Sequence, residues 1–204
     1  MKAPTLIDNL WRLLFLDAFR DRLSRFIQYT LLMLIPFIVS MGYSDLGASM
    51  SIVRSNMSFI RMAMRFGKPS NLVNTINRRH ASGTLDIIDM LRSISDGVNI
   101  LYYLTDHPLF LYKLGLLPMS LPMNDQIDYW NNIFWLGTTL IELFITTITA
   151  RRMNLSSKLY DFTLTASDLP IIFFFMNWWP EIFGPEFAGA CGSLCSLAGL
   201  YNMW

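Results

Sequence analysis

Residues 84–107 read TLDIIDMLRSISDGVNILYYLTDH and form the clearest amphipathic pattern in the chain. Apolar side chains recur at helical spacing on one face, namely Ile87, Ile88, Leu91, Ile94, Val98, Leu101 and Tyr102. Polar side chains occupy the other face, namely Asp86, Asp89, Ser93 and Asp96. The pattern predicts an amphipathic helix over 84–105, capped by Thr84 and ended by Asp106 and Pro108. Its carboxylates have no neighbouring histidine, so we interpret that face as solvated and not as a metal site.

The composition around this helix is that of a membrane protein. Of 204 residues, 53% are apolar and 15% are charged, whereas soluble domains carry about 25% charged residues. The formal net charge is only +1, although arginines concentrate locally. We therefore expect one domain over 1–204 with an all-α fold, an integral membrane helical bundle with amphipathic interfacial helices.

Working outward from residues 84–107, helical periodicity predicts further segments in both directions. The predicted amphipathic helices span about 5–40, 49–66 and 84–105, and the predicted membrane helices span about 129–150 and 187–204. The run 129–150 is long enough to cross a bilayer, with aromatic residues at its start and Arg151 and Arg152 just after it. The apolar half of the first helix, FIQYTLLMLIPFIV, is short for a span, which favours a core helix over a full crossing.

Two aromatic segments between prolines are too short to span a bilayer. Residues 106–118 read DHPLFLYKLGLLP, with a single lysine, and residues 168–185 read DLPIIFFFMNWWPEIFGP. Both predict interfacial or re-entrant pieces, in which aromatic rings lie at headgroup depth.

A basic stripe marks the second segment, SIVRSNMSFIRMAMRF. Arg54, Arg61 and Arg65 are spaced i, i+7 and i+11, so on one helix they fall within a fan of about 40°. A narrow basic stripe on a broad apolar body is typical of a helix that binds anionic lipid. The alternative is the solvated edge of a helix that packs on its neighbours.

Other candidate residues lie in the later apolar helices. Glu142 is at the centre of the predicted span 129–150, where an acid normally faces a partner or a cavity. Its functional interpretation competes with a protonated Glu bonded to a neighbouring helix. Ala188, Gly192 and Ser196 recur every four residues, a pattern that predicts close helix packing.

The sequence gives no sign of catalysis. Cys191 and Cys195 are four residues apart without a nearby ligand, and we expect them to pack as small residues. His80 and His107 have no catalytic neighbours, and no phosphate-binding glycine loop is present. We therefore expect a non-enzymatic protein without cofactor or metal, and without a nucleic-acid partner.

Five segments in order resemble the peroxin-11 family, whose members are peroxisomal membrane proteins that promote organelle proliferation and include glycosomal relatives. The matching segments are RDRLSRFIQY, RFGKP, ISDGVNILYYLTDHPLFLYKLGLLP, YWNNIFWL and GPEFAGACGSLCSLAGLY, at 20–29, 65–69, 94–118, 129–136 and 184–201.

The resemblance implies a protein of the peroxisomal or glycosomal membrane that elongates this membrane before fission. The family's membrane-bending activity is attributed to an amphipathic helix. In this sequence that helix implies a lipid-binding set, namely Arg54, Phe59, Ile60, Arg61, Met64 and Arg65. Its partners would be anionic lipids, and either further copies of the chain or other membrane subunits.

Two other functions stay open at this point. The chain could be a structural accessory subunit of a large membrane complex, with the mitochondrial inner membrane as the alternative location. It could also be a solute pore, lined by Glu142 and the carboxylates Asp86, Asp89 and Asp96.

Overall fold

A computed structural model describes residues 16–81, 83, 86–149, 155–201 and 203, and the regular structure of these residues is entirely helical. The all-α fold class is thereby confirmed. In chain order the helices are α1 Asp17–Ser40, α2 Ser44–Ala63, α3 Lys68–Ala81, α4 Ile87–Lys113, α5 Leu121–Thr149, α6 Leu155–Ala166, α7 Asp168–Phe175 and α8 Pro185–Tyr201.

The first predicted helix, 5–40, is observed from Asp17 to Ser40 and passes through Pro36 without ending; residues 5–15 lie outside the described residues. Gly42, at φ +90°, ends it. The N–H of Gly42 donates to the carbonyl of Val39 (3.0 Å) and that of Tyr43 donates to Ile38 (3.2 Å). This bond pair is the Schellman ending that a glycine after a helix favours.

Helix α4 corrects the prediction that Pro108 ends the amphipathic helix. The helix continues through Pro108 to Lys113, so residues 106–113 are its last turns and not a separate interfacial segment. A second Schellman ending at Gly115 (φ +73°) stops it, with Leu116 N–H donating to the carbonyl of Leu111 (3.0 Å). At the start, the Asp86 side chain caps the helix by accepting from Asp89 N–H (2.8 Å), while the predicted cap Thr84 lies outside the described residues.

Proline also marks the starts of two helices, and both starts lie outside the predicted helical segments. Pro69 lies in the first turn of α3, and Pro122 lies in the first turn of α5. Proline is tolerated there because its missing N–H has no intrahelical partner in any case. Helix α3 therefore occupies most of the stretch between the predicted helices 49–66 and 84–105, and α5 begins eight residues before the predicted 129.

Helix α2, which was predicted to carry the basic stripe, begins and ends at other residues than predicted. It runs from Ser44 to Ala63 instead of 49–66, so Arg65 lies two residues past its end. The three arginines therefore do not share one helix face, which corrects that prediction.

Two helices, α1 and α5, are long and apolar enough to cross a membrane. Helix α5 contains 129–149 of the predicted span 129–150, whereas α1 was predicted as a core helix. Helix α8 has 17 residues and a length of about 25 Å, below the hydrocarbon thickness of about 30 Å. The membrane helix over 187–204 stays a prediction, and its residues 202 and 204 lie outside the described residues.

The described helices group into two compact units, and the single domain over 1–204 stays a prediction. In one unit, α1 packs against α2 and α8. In the other, α4 packs against α3 and α5, and α6 and α7 pack against α5.

Candidate functional site: buried polar clusters and an apolar surface

Helices α4 and α5 turn their apolar side chains outward. On α4 the exposed large side chains share a face about 100° wide, and they are Ile87, Met90, Ile94, Leu101 and Leu104. On α5 the exposed side chains of the same kind are Leu121, Met123, Tyr129, Trp130, Leu140, Phe144 and Ile148. The residues that these two helices bury are largely polar, namely Ser95, Asp106, Asn131, Asn132, Thr138 and Thr139. This polarity is the reverse of a water-soluble core.

The other unit shows the same reversal on α8. Its buried positions hold small or hydroxyl side chains, while Leu194, Leu197 and Tyr201 are exposed. Ser193 Oγ lies 3.1 Å from Thr30 Oγ1 on α1, a polar contact between helices of the kind that membrane bundles use.

Arg65 is the centre of a buried cluster in the α3–α7 unit. Its Nη1 donates to Asp106 Oδ2 and to Tyr102 Oη, both at 2.6 Å, and its guanidinium lies 5.1 Å from the centroid of the Tyr102 ring. Asp106 is 1% exposed. The amide of Asn131, on α5, donates to Asp106 Oδ1 (3.2 Å), to Thr105 Oγ1 (2.9 Å) and to the carbonyl of Tyr102 (2.9 Å). The cluster therefore ties α5 to the last third of α4.

Arg61 forms a second cluster, in the other unit. Its Nε donates to Asp21 Oδ1 (3.1 Å) and its Nη1 donates to Gln28 Oε1 (2.8 Å), which ties α2 to α1. Like Arg65, Arg61 is buried. The geometry corrects the prediction that both guanidinium groups face lipid headgroups, because protein carboxylates already neutralise them.

The rest of the predicted lipid-binding set is more accessible. Arg54, Phe59 and Met64 are half-buried and Ile60 is exposed. Two exposed residues that the predicted set omitted, Ile52 and Val53, precede Arg54 on α2. A lipid contact of this helix stays a prediction for these positions.

Glu142 has a partner on the neighbouring helix. Ser95 Oγ, on α4, donates to Glu142 Oε1 on α5 at 2.7 Å, and Ser95 is 0% exposed. The bond joins the first third of α4 to the last third of α5. This arrangement matches the alternative in which Glu142 is bonded to a neighbouring helix, and here the Ser95 hydroxyl is the donor.

Replacing Ser95 by alanine is expected to destabilise the α4–α5 pair by about 0.5–1.5 kcal/mol, since Glu142 then loses a donor in a nonpolar setting. Thermal unfolding in detergent micelles measures this cost. Thr147→Ala is the control, because Thr147 Oγ1 donates only to the Leu143 carbonyl of its own helix (2.7 Å). Equal effects of the two substitutions would contradict the interhelical role of Ser95.

The predicted acidic face of α4 is only partly open to water. Arg79 of α3 donates to Asp96 Oδ2 and to Ser93 Oγ, both at 3.0 Å, while Asp86 caps the helix. These contacts, with the Ser95 bond to Glu142, give three carboxylates of the pore hypothesis structural partners, namely Asp86, Asp96 and Glu142. Within the described part of the chain, no group of His, Cys, Asp and Glu is arranged to hold a metal ion.

The outer face of α3 is polar, unlike the exposed faces of α4 and α5. Its exposed side chains include Asn71, Asn74, Thr75, Asn77 and Arg78. Because the exposed side of α3 is polar while its other side packs on α4, we expect the exposed side to contact water.

The small residues of α8 face α1. Ala188 and Ser196 are 0% exposed, and a Cβ on Gly192 would overlap the Tyr29 ring. Cys195 is buried and Cys191 is half-buried, both as free thiols.

Sequence patterns missed several of these residues. Asp21, Asn131 and Gly189 contribute to clusters or close contacts, yet Asp21 and Gly189 do not stand out in their local sequences. Only Asn131 had a usable signal, as an amide inside an otherwise apolar run that a membrane helix tends to bury.

Comparisons with known proteins identify the family of this chain. A search of curated proteins and a search of solved structures return no significant match. The family model described as Peroxisomal biogenesis factor 11 matches residues 7–159. The matched residues include helices α1 to α5 and the residues of both arginine clusters. The match confirms the resemblance and covers four of its five segments, while 184–201 lies beyond it; the chain belongs to the peroxisomal biogenesis factor 11 family.

Proposed function

We propose that this chain is a non-enzymatic membrane protein that elongates the peroxisomal membrane, or its glycosomal equivalent, before fission. The observation that carries the proposal is the reversed polarity of the helices: large apolar side chains cover their exposed faces, whereas arginine, aspartate, asparagine and hydroxyl side chains are buried. Such a surface is stable when acyl chains cover it, because exposing it to water costs about 25 cal/mol per Å². Family membership supports the organelle and the process.

The two arginine clusters explain how polar groups survive in that setting. An unpaired buried charge costs several kcal/mol, and each guanidinium here has a carboxylate and a further oxygen within 3.1 Å. The Arg61 cluster holds α2 against α1 in one unit, and the Arg65 cluster holds α5 against α4 in the other. Each cluster therefore supports the apolar faces of its own unit instead of binding headgroups itself.

Helix α2 supplies the surface that we assign to membrane bending. Ile52, Val53 and Ile60 are exposed on it, and Arg54 lies beside them. Insertion of these side chains into one leaflet expands that leaflet relative to the other, and a basic residue near an anionic surface contributes about 1 kcal/mol. Anionic lipid is thus the partner that this geometry favours.

The full-length protein, reconstituted into anionic vesicles, tests this proposal by electron microscopy of tubule formation. We expect Ile52→Ser with Val53→Ser to abolish most tubulation, because each apolar side chain that inserts fully contributes about 1.5–3 kcal/mol. Arg54→Glu is expected to reduce tubulation mainly at low salt, where surface charge is least screened.

Asn71→Ser with Asn74→Ser is the matched control, since both residues lie on the polar outer face of α3. Unchanged tubulation by the Ile52 and Val53 variant would reject this surface. Migration of the native protein only within a large heteromeric assembly would instead favour the accessory-subunit function.

A further inference from the structure

The turn after α7, residues 176–180, has an unusual backbone and is named here the tryptophan turn. Asn177 (φ 54°) and Trp179 (φ 50°) both lie in the left-handed region. Asn177 completes a Schellman ending, with Trp178 N–H donating to the Phe173 carbonyl at 2.9 Å. Asparagine is common in this role, but a bulky residue such as Trp179 rarely adopts a positive φ and does so at a cost in strain.

The strained backbone places two adjacent indoles against one ring. Phe173 stacks on Trp178 with centroids 5.9 Å apart, and meets Trp179 edge-on at 5.6 Å. Both indoles nevertheless stay accessible, and Trp179 is 58% exposed. The turn therefore holds a rigid aromatic pair at the surface of its unit.

The chemistry of the surrounding segment selects one environment. Residues 169–180 contain no charged side chain, while Asp168 precedes them and Glu181 follows. Indole combines a large apolar body with an N–H that needs a hydrogen-bond acceptor, and it concentrates where acyl chains meet headgroups. Neither bulk water nor the acyl interior satisfies both parts of that side chain.

We propose that the tryptophan turn is a second membrane anchor, whose indoles Trp178 and Trp179 insert at the boundary between headgroups and acyl chains of the bilayer. The anchor rests on the proposed membrane function and adds a contact distinct from α2. It is fixed to a helix long enough to cross the bilayer, because Trp135 Nε1 on α5 donates to Asp168 Oδ2 at the start of α7 (3.3 Å).

Fluorescence quenching in proteoliposomes tests the anchor. In full-length protein with Cys191→Ser and Cys195→Ser, one cysteine introduced by Trp179→Cys carries an environment-sensitive dye. A second protein with Phe175→Cys, at the end of α7, repeats the measurement should the first variant fold poorly. Phe144→Cys, on the exposed face of α5, reports whether the protein is embedded at all.

We expect nitroxide attached near the lipid headgroup to quench the dye at position 179 or 175 several-fold more strongly than nitroxide deep in the acyl chains. We expect the reverse order for position 144. Quenching at 179 and 175 by aqueous iodide alone, with position 144 still in the acyl region, would overturn the anchor and leave the membrane function standing. Aqueous quenching at all three positions would overturn both, and equally deep quenching at 179, 175 and 144 would overturn the anchor.

Discussion

Asp106→Leu in the full-length protein is expected to lower the free energy of unfolding in detergent micelles by about 3–5 kcal/mol, because it leaves the Arg65 guanidinium buried without its carboxylate. Arg65 is bonded to Asp106 at 2.6 Å, and the side chains of both are at most 10% exposed. Water therefore cannot replace the lost partner cheaply. The loss should appear as reduced resistance to thermal or denaturant unfolding.

Two further variants separate pairing from packing. Arg65→Gln with Asp106→Asn removes both charges while retaining hydrogen-bonding groups, and it should recover much of the loss, since removing a whole buried pair costs far less than breaking it. Asp89→Asn is the matched control, because Asp89 on the same helix is only half-buried, whereas Asp106 is 1% exposed. A double variant as unstable as Asp106→Leu would show that the charges themselves are not the source of the effect.

Gly189→Val on α8 is expected to be comparably damaging, at about 3 kcal/mol or more, as an overpacked contact that cannot relax. A Cβ on Gly189 would lie 2.5 Å from the Met33 backbone nitrogen and 2.8 Å from its Cα. Backbone atoms of α1 cannot move aside as a flexible side chain would. The loss of stability is measured by unfolding the reconstituted protein and monitoring the unfolding by limited proteolysis at α8.

Gly97→Ala on α4 provides the opposite case. No atom lies within 4 Å of a Cβ at this helical glycine, so the substitution should stabilise by about 0.5–1 kcal/mol through helix propensity. A stable Gly189→Val protein would contradict the close packing of α8 on α1.

Local sequence patterns predicted which segments are helical better than where the helices end. The periodicity of residues 84–107 identified α4, but its end depended on two competing signals, Pro108 and Gly115. Proline costs one hydrogen bond and some strain, which the contacts of Asp106 and its neighbours offset, whereas Gly115 offers a favourable left-handed ending. Gly115, and not Pro108, therefore determines where α4 ends.

The arginines show the limit of spacing arguments. Their i, i+7, i+11 pattern predicts a common face only while one helix continues, and α2 ends between Arg61 and Arg65. Their partners Asp21 and Asp106 lie 40 and 41 residues away in sequence, so no local pattern could pair them. The stripe of Ala188, Gly192 and Ser196, by contrast, needs only helical spacing, and the structure places all three in the buried positions of α8.

Photoaffinity labelling with a phospholipid that carries its reactive group in the acyl chain tests most directly whether lipid covers the reversed-polarity surface. Mass spectrometry of the reconstituted full-length protein should find adducts on exposed residues of α4 and α5 such as Ile94, Leu140 and Phe144, and none on the polar outer face of α3 between Asn71 and Arg78. Adducts on that face of α3, or unlabelled α4 and α5, would contradict the account.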